Sequence, residues 1–462
     1  MLKGLRTYTA NLMGRLLKRN FEAASGRRLD GWRGLNFGSI NSEVNAAAPA
    51  VRGRARHMAE NNAHCANGVA AWGTALVGAG ITPASQHPSR DMRRAIAAAF
   101  RRWASKCDAD ERTDFYGLQA QAVRGMIIDG ESFLHMLQTE DGLKLRLIPP
   151  ELVDSSHTVE FGDGRRIIAG IEFDASDRVT AYWVRPARAA DLFPTHGNPV
   201  RVPAEDMVHL FVSHGPGQVR GMSWLAPVLL RLGELDQLED ALLVGVKVAA
   251  MHTGFLTDMN GTGTLPYDGS QAGNILESGL EPGTLKVLPN GYDVKFNSPQ
   301  QAQQSIEFVQ HQLRAIAAGL GVPAHLLDGD LRQANYSSLR AALVSFRQRV
   351  EQIQFHTLIP QMLTPIWERV IMSAVLQGEL EFDADAMSVE WYPPALPWVD
   401  PAKDAEAEAT LINAGLKSRR QAVAERGYDI ESLDAEIAAD RKREETLGLT
   451  FNTQQVKQNA GA

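Results

Sequence analysis

A chain of 462 residues with 44% hydrophobic and 22% charged side chains has enough apolar material for two to three domains with buried cores, which excludes a disordered tail. Its formal net charge of -7 argues against a protein whose work is to grip nucleic acid by neutralising phosphates, though not against one that lets DNA slide past. The charge is uneven: the first 56 residues hold eleven Lys and Arg against three Asp and Glu, so the remainder is clearly acidic.

The basic opening, with Lys3, Arg6, Arg15, Lys18 and Arg19, lacks a continuous apolar core and a small-residue cleavage site, so no secretory signal is expected. The long uncharged stretch Asn61 to Ser89 is interrupted by Gly68, Gly73, Gly78 and Gly80 and reads as no membrane span. From Asp91 to Lys106, Ile96, Phe100 and Trp103 recur at three-to-four spacing and predict a packing helix. The period then changes to β-rich runs, Ser132 to Leu137, Leu143 to Ile148, Ile167 to Phe173 and Val179 to Val184, separated by Asp- and Gly-rich turns. An antiparallel β region within an α+β fold is expected there.

After Gly221 the pattern turns helical, with Leu232, Leu235, Leu238, Leu242 and Val246 on one stripe. A Gly-rich interruption, Asp258 to Gly279, precedes a hairpin signal, in which Thr284 to Leu288 and Tyr292 to Phe296 flank Pro289-Asn290-Gly291. A second amphipathic helix carries Ile306, Val309, Leu313, Ile316 and Leu320 until Gly319, Gly321 and Pro323 stop it. Beyond a polar loop, His325 to Asn335, a third helix begins near Ser337 or Ser338 with Leu339, Leu343, Phe346, Val350 and Ile353 in a row, and Pro360 and Pro365 are expected to kink or break it. Trp391 to Pro401 reads as a proline-rich linker. Asp400 as N-cap before Pro401 then opens a last helical unit, with further helices over Ser418 to Arg426 and Asp429 to Leu447.

Catalytic machinery is hard to find. No phosphate loop of the Gly-x-x-x-x-Gly-Lys-Ser/Thr type and no Gly-x-Ser-x-Gly elbow occurs. His57 and His64 lie seven apart, a spacing that can share a helical face, and His209 and His214 flank a strand end, but neither pair has metal partners at suitable spacing. The acidic run Asp108-Ala109-Asp110-Glu111 reads as a charged turn before it reads as a Mg²⁺ site. Cys65 and Cys107 have no neighbours at metal-ligand spacing and are expected as buried thiols.

Several strings closely resemble the lambda family of phage portal proteins. They are Phe21 to Trp32, Arg52-Gly-Arg-Ala-Arg56 with Asn61-Asn62, Gly78 to Pro83, Trp103 to Asp108, Phe115 to Gln119, Asp129-Gly-Glu-Ser-Phe133, Gly170 to Asp174, Val202 to Asp206, Ala317 to Pro323, Asn335 to Ser338 and Trp398 to Pro401. The most specific is Gly215 to Leu230, since no generic fold demands so many matched positions.

The resemblance implies a portal-type α+β fold: a wing over 1-221, a first stem helix region over 222-257, a small β-containing clip over 258-302 and a second stem helix over 303-324. A tunnel loop over 325-336, a kinked wing helix and return strand over 337-400, and a helical crown with C-terminal tail over 401-462 complete it. It implies no enzyme and no cofactor, but a dodecameric ring at one capsid vertex, a channel through which double-stranded DNA passes without sequence preference during packaging and ejection. Terminase large subunit, head-tail adaptor, major capsid and scaffolding proteins are the implied partners, with no membrane. The implied location is the virion, after assembly in the bacterial cytoplasm. Another head-completion protein, or the portal of a defective prophage or gene transfer agent, is the alternative.

Two sites are expected on this basis. The tunnel loop would present Asp328, Asp330, Arg332, Gln333 and Asn335 to DNA. Lys247, a lone charge in the apolar run Ala241 to Met251, would face the channel, pair with an acid across the subunit interface, or lie on the surface.

Overall fold

In the computed structural model, the described residues are 38-186, 197-250, 254-258, 270-272, 275-277, 292-296, 302-332, 335-395 and 400-449. The string Phe21 to Trp32, the expected strand Thr284 to Leu288 and Gln333 lie outside them.

Four helices form the first layer: α1 (Ile40–Asn61), α2 (Ala63–Leu76), α3 (Arg90–Ala104) and α4 (Phe115–Asp129). Asn62 divides the first two, because its extended backbone ends α1 while its side chain accepts the Cys65 N–H at 2.7 Å and opens α2. His57 and His64 therefore fall on different helices and share no face, which corrects the expectation from spacing. On α3 the expected stripe is inward: Ile96 and Phe100 are buried, and Phe100 packs on Trp103, Phe115 and Trp367 with ring centroids 5.2–5.6 Å apart. Such aromatic pairs add to the area they bury. Gln119 clamps the backbone of Ile81, accepting its N–H and donating to its carbonyl.

Two sheets follow. β2 (Glu131–Thr139) lies between β3 (Gly142–Ile148) and β9 (Met207–Phe211), both antiparallel to it. The second sheet runs in chain order through β4 (Val159–Glu160), β5 (Arg166–Ile168), β6 (Ile171–Phe173), β7 (Val179–Val184) and β8 (Val200–Pro203). The single strand expected over Ile167 to Phe173 is a hairpin, because Ala169 at φ 48° and Gly170 at φ 81° turn the chain so that Ile168 pairs with Ile171. Two successive positive φ angles are what a tight hairpin turn requires. β1 (Thr82–Ser85) pairs with β14 (Val389–Tyr392), where Trp391 and Tyr392 are buried. The first residues of the expected linker are thus sheet.

The long helices then extend from the core. α5 (Leu229–Ala250) buries Leu232 and Leu235 but exposes Leu243, Val244 and Val246. α6 (Ala302–Leu320) buries Leu313, Ile316 and Leu320 but exposes Ile306 and Phe308. Each stripe is only half covered. Arg231 on α5 reaches Gln312 on α6 at 3.1 Å. Between the two helices, β10 (Gly254–Asp258) pairs with β13 (Tyr292–Phe296) and β11 (Ser270–Ala272) with β12 (Ile275–Glu277).

α7 (Ala324–Asp328) is a short helix where a loop was expected, seated because Leu327 is buried and Asn67 donates to the carbonyls of Leu326 and Leu327. Gly68 makes that approach possible, since a Cβ there would lie 2.5 Å from the Leu320 side chain and 2.9 Å from that of Leu327. α8 (Tyr336–Ile353) runs into α9 (Thr364–Leu376) through a π-helical segment, Gln354–Leu363, that contains Pro360. The prolines do not break the helix. Wider π turns relieve the clash of a proline ring with the preceding carbonyls, and Pro365 stands in the first turn of α9, directly after the π segment. Buried Gln354 donates to the carbonyls of Ala75 and Leu76 at the end of α2.

The chain ends in α10 (Pro401–Asn413), α11 (Arg419–Ala424) and α12 (Ile430–Leu447). Asp400 caps α10 by accepting the Lys403 N–H, with Pro401 at the first helical position, as the sequence predicts. Ser418 and Asp429 cap the other two. Only Ala422 and Val423 are buried in these three helices.

Candidate functional site

The expected loop residues divide between caps and a small turn. Asp328 ends α7 and accepts the Asp330 N–H at 2.9 Å, while Gly329, at φ 70°, turns the chain out of the helix. Asp330 accepts the Arg332 N–H and both ends of its guanidinium at 2.8–3.0 Å. Hydrogen bonding from Arg332 lowers the Asp330 carboxyl to about 2 and raises Arg332, so both are charged. Arg332 has 80% of its side chain accessible, against 26% for Asp330. Asn335 accepts the Ser338 N–H and closes a capping box on α8. Among the described residues, Asp330 to Arg332 is therefore the part of this loop free of helical duties. Lys247 is exposed on the outer half of α5.

A second cluster was not expected from the sequence. Glu131, the first residue of β2, has a side chain only 1% exposed, yet it is ringed by donors. Arg220 gives it Nε–H and Nη2–H at 2.6–3.0 Å, Arg52 donates at 3.2 Å, His209 Nε2 at 3.1 Å and the Gly221 N–H at 2.9 Å. Arg220 also donates to the carbonyls of Ala169 at 2.8 Å and Pro150 at 3.1 Å, and its guanidinium lies 5.3 Å from the Phe133 ring centre. One arginine thus ties the three-stranded sheet to the hairpin of the five-stranded one. Beside it, Arg56 forks onto Asp129 at 2.7 and 2.8 Å and onto Glu151 at 3.0 Å.

Burial alone would raise the Glu131 carboxyl; the charge of Arg220 and the hydrogen bonds from His209 and Arg220 overcome it and hold the group well below the carboxylate range. Burial lowers His209 despite Glu131 opposite, so the imidazole is neutral and donates through Nε2. Burial also lowers Arg52, which stays a cation between Glu131 and its neighbours. Three cations, Arg52, Arg56 and Arg220, then face three anions, Asp129, Glu131 and Glu151. The cluster is balanced in charge and ties distant elements together, with Arg52 Nε left without a hydrogen-bond partner.

Glycine sets the geometry. Gly130 has φ 91°, and a Cβ there would lie 2.2 Å from the Met222 carbonyl carbon; one on Gly221 would lie 2.1 Å from the Gly130 oxygen. The two backbones cross with no room for side chains. Sequence reasoning held the pieces, since Arg52 to Arg56, Asp129 to Phe133 and Gly215 to Leu230 are three of the strings singled out above.

The other candidates resolve into packing. Buried Asp108 accepts the N–H groups of Asp110, Arg112 and Thr113, so the acidic run is a capped turn, and Asp110 pairs with Arg146. Cys65 and Cys107 are buried, which pushes their thiols up to about 11 and about 12. Among the described residues, no group of three or more His, Cys, Asp or Glu could hold a metal ion, and no helix is long and apolar enough to cross a membrane.

The strings that converge on Glu131 lie within a longer match: residues 25–354 fit the family described as "Phage portal protein, lambda family". The chain belongs to the lambda family of phage portal proteins. The "Probable portal protein" of Halomonas phage phiHAP-1 is 26% identical, over 94% of this chain and 88% of its own length. "Portal protein B" of Escherichia phage lambda is 23% identical, over 86% and 85%. Among solved structures, a chain from the neck of an empty gene transfer agent particle aligns at TM-score 0.47 and 15% identity, covering 86% of this chain and 94% of that one.

Proposed function

We propose that this chain is the subunit of a dodecameric portal ring at one capsid vertex, whose channel passes double-stranded DNA during packaging and ejection. The observation that carries it is the family match over residues 25–354, which spans both the Glu131 cluster and the long helices. The half-covered stripes of α5 and α6 support assembly, because exposed Leu243, Val244, Val246, Ile306 and Phe308 are apolar surface that a neighbouring subunit would cover. On this reading 1-221 is the wing, α5 and α6 the stem, 258-302 the clip, 325-336 the tunnel loop, 337-400 the wing helix and return strand, and 401-462 the crown with the tail. The ring acts as a scaffold, with no cofactor, in the virion. Terminase large subunit and head-tail adaptor dock on the clip, and major capsid and scaffolding proteins surround the vertex.

Asp330 and Arg332 form a charge-balanced pair at the tip of the loop, which suits weak contact with moving phosphates better than a lone cation would, since each unbalanced cation adds a salt-dependent grip. Arg332→Ala is expected to leave ring assembly intact while reducing retention of packaged DNA; wild-type genome length and virion stability would remove the loop from the site. Lys247→Met tests the channel or interface role of that residue, and unchanged assembly with unchanged DNA retention would make it surface decoration. The decisive experiment is electron microscopy of the purified protein down its axis. Closed rings with a central channel are expected, and monomers or open filaments would overturn the reading.

A further inference from the structure

Helix α3 concentrates positive charge on an acidic chain: Arg90, Arg93, Arg94, Arg101 and Arg102 stand against Asp91 alone, while the whole chain carries -7. Two of the five are committed within the fold. Arg93 binds Glu431 at 2.7 Å and the carbonyls of His87 and Pro88, and Arg102 binds Glu379 at 2.9 Å. Arg90, Arg94 and Arg101 are exposed, and among the described residues none has a carboxylate partner; Arg101 bonds only the carbonyl of Ala97 on its own helix.

At 3.6 residues per turn these three fall within about 40° of arc, rising about 6 Å and then about 10 Å along the axis. At its first turn the arrangement works against the helix. Arg90, at the first helical position, opposes the positive end of the macrodipole, and Arg90 with Arg94 is a like-charge pair at four-residue spacing. Helix stability gives no reason to keep Arg90 and Arg94, whereas Arg101, in the last turn, suits the negative end of the macrodipole.

Protein interfaces are commonly centred on a buried aromatic anchor beside any arginine. None is present: no large hydrophobic side chain is exposed anywhere in α3, and the residue between Arg94 and Arg101 on the stripe is Ala97. A row of guanidinium groups with only alanine between suits a ligand recognised by charge alone, at regular spacing. Double-stranded DNA carries one phosphate per about 3.4 Å of axis on each strand, so the stripe spans several phosphates.

We propose that Arg90, Arg94 and Arg101 form a docking stripe for the phosphate backbone of double-stranded DNA, separate from the loop Gly329 to Arg332. The proposal rests on the portal reading, which brings DNA to this molecule. Binding is independent of sequence, weak in one subunit and additive around a ring.

The test is the salt dependence of binding of the full chain to a fluorescent duplex of arbitrary sequence, compared with the triple variant Arg90→Ala, Arg94→Ala, Arg101→Ala. Alanine favours helix, so the variant should keep its circular dichroism and melting temperature. Removing three phosphate contacts should flatten the slope of log affinity on log salt by about 2.7, so that the wild type loses about 40-fold more affinity between 50 and 200 mM salt than the variant. The matching triple lysine variant should retain the wild-type slope. Equal slopes for wild type and alanine variant would overturn the proposal, as would binding to polyglutamate but not to the duplex, which would assign the stripe to an acidic protein surface. Electron micrographs of the same samples separate the two ideas: rings with an unchanged slope reject the stripe and leave the portal reading standing, whereas monomers with the expected slope change reject the portal reading alone.

Discussion

The Glu131 cluster and the C-terminal helices use the same chemistry, carboxylate against guanidinium or ammonium, in opposite settings. The side chains of Glu131, Arg52, His209 and Arg220 are at most 10% exposed, they bond to Glu131 or to backbone across elements far apart in sequence with Arg52 Nε alone among them lacking an acceptor, and the set joins two sheets and α1. In α10 to α12 almost nothing apolar is buried, and the helices are held by ion pairs that are open to water at Arg93–Glu431 and Arg419–Asp434 and partly buried at Lys417–Glu408. Arg93–Glu431 and Arg340–Asp404 tie them to the body, Arg419–Asp434 ties α11 to α12, and Lys417 and Arg426 meet on Glu408. The difference teaches what an ion pair contributes. Buried, it is costly to desolvate but specifies one geometry, and breaking it is severe; exposed, it is weak, additive and screened by salt.

The comparison is broken most directly by removing one partner of the buried set. Arg220→Met leaves Glu131 facing only Arg52, His209 and the Gly221 N–H, and strips donors from the carbonyls of Ala169 and Pro150. A loss of about 3–5 kcal/mol is expected, read as a lower midpoint in urea denaturation. The double variant with Glu131→Gln removes the stranded charge and should recover part of that loss. A single variant within about 0.5 kcal/mol of the wild type would mean that the cluster is not the joint between the sheets.

How much of this was legible in the sequence depends on the range of the interaction. Local chemistry was: the Asp400-Pro401 helix start, the stripe Ile96 and Phe100, and the halt of α6 at Gly321 all follow from neighbouring residues. The turn at Ala169 was missed because alanine carries no signal for a positive φ, and the apolar run on either side reads as one strand. Pro360 was expected to kink or break the helix; the chain stays helical through it in π geometry, to which the rule for α-helices does not apply. α7 was missed because it is only five residues long and is held by tertiary contacts, the burial of Leu327 and the Asn67 amide on its carbonyls. The Glu131 cluster was visible as strings but not as a site, since Arg52, Glu131 and Arg220 are 79 and 89 residues apart and no periodicity links them.

Acid offers a second, smaller way to separate the two regions. Burial lowers His209 below its ordinary 6.5, so the fold favours the neutral ring; that contribution is complete above 6.5 and is lost as pH falls below it, because the unfolded chain takes up the proton first. His135 is shifted the same way, also by burial. Glu131 is held below its ordinary 4.5, so its contribution is present above 4.5 and fades as pH falls further. Stability should therefore decline in two stages on acidification, the first below about 6.5. His209→Gln, which keeps a donor towards Glu131, should reduce the first stage in a pH series of melting temperatures; an unchanged profile would show that His209 is not its source.

The smallest effect should come from the pairs that hold the C-terminal helices. Arg93 and Glu431 are a quarter and a half exposed, so their coupling in a double-mutant cycle should be about 0.2–1 kcal/mol at low ionic strength. Salt screens exposed charges over a length of about 10 Å at 0.1 M and about 3 Å at 1 M, while buried pairs are affected far less. Adding salt should thus loosen α10 to α12 and leave the Glu131 cluster intact. Amide hydrogen exchange resolves the two regions within one sample, because opening free energies are local quantities. Exchange in α12 should accelerate between 0.05 and 1 M salt, by up to about fivefold for each pair screened, while β2 and β9 change little. Acceleration in both regions alike would mean that salt acts on the whole fold and that the distinction between buried and exposed pairs does not govern this molecule. No acceleration in either would mean that the C-terminal helices are held by the packing of Ala422 and Val423 and the approach of Gly427 to Pro393, with the surface pairs contributing nothing measurable.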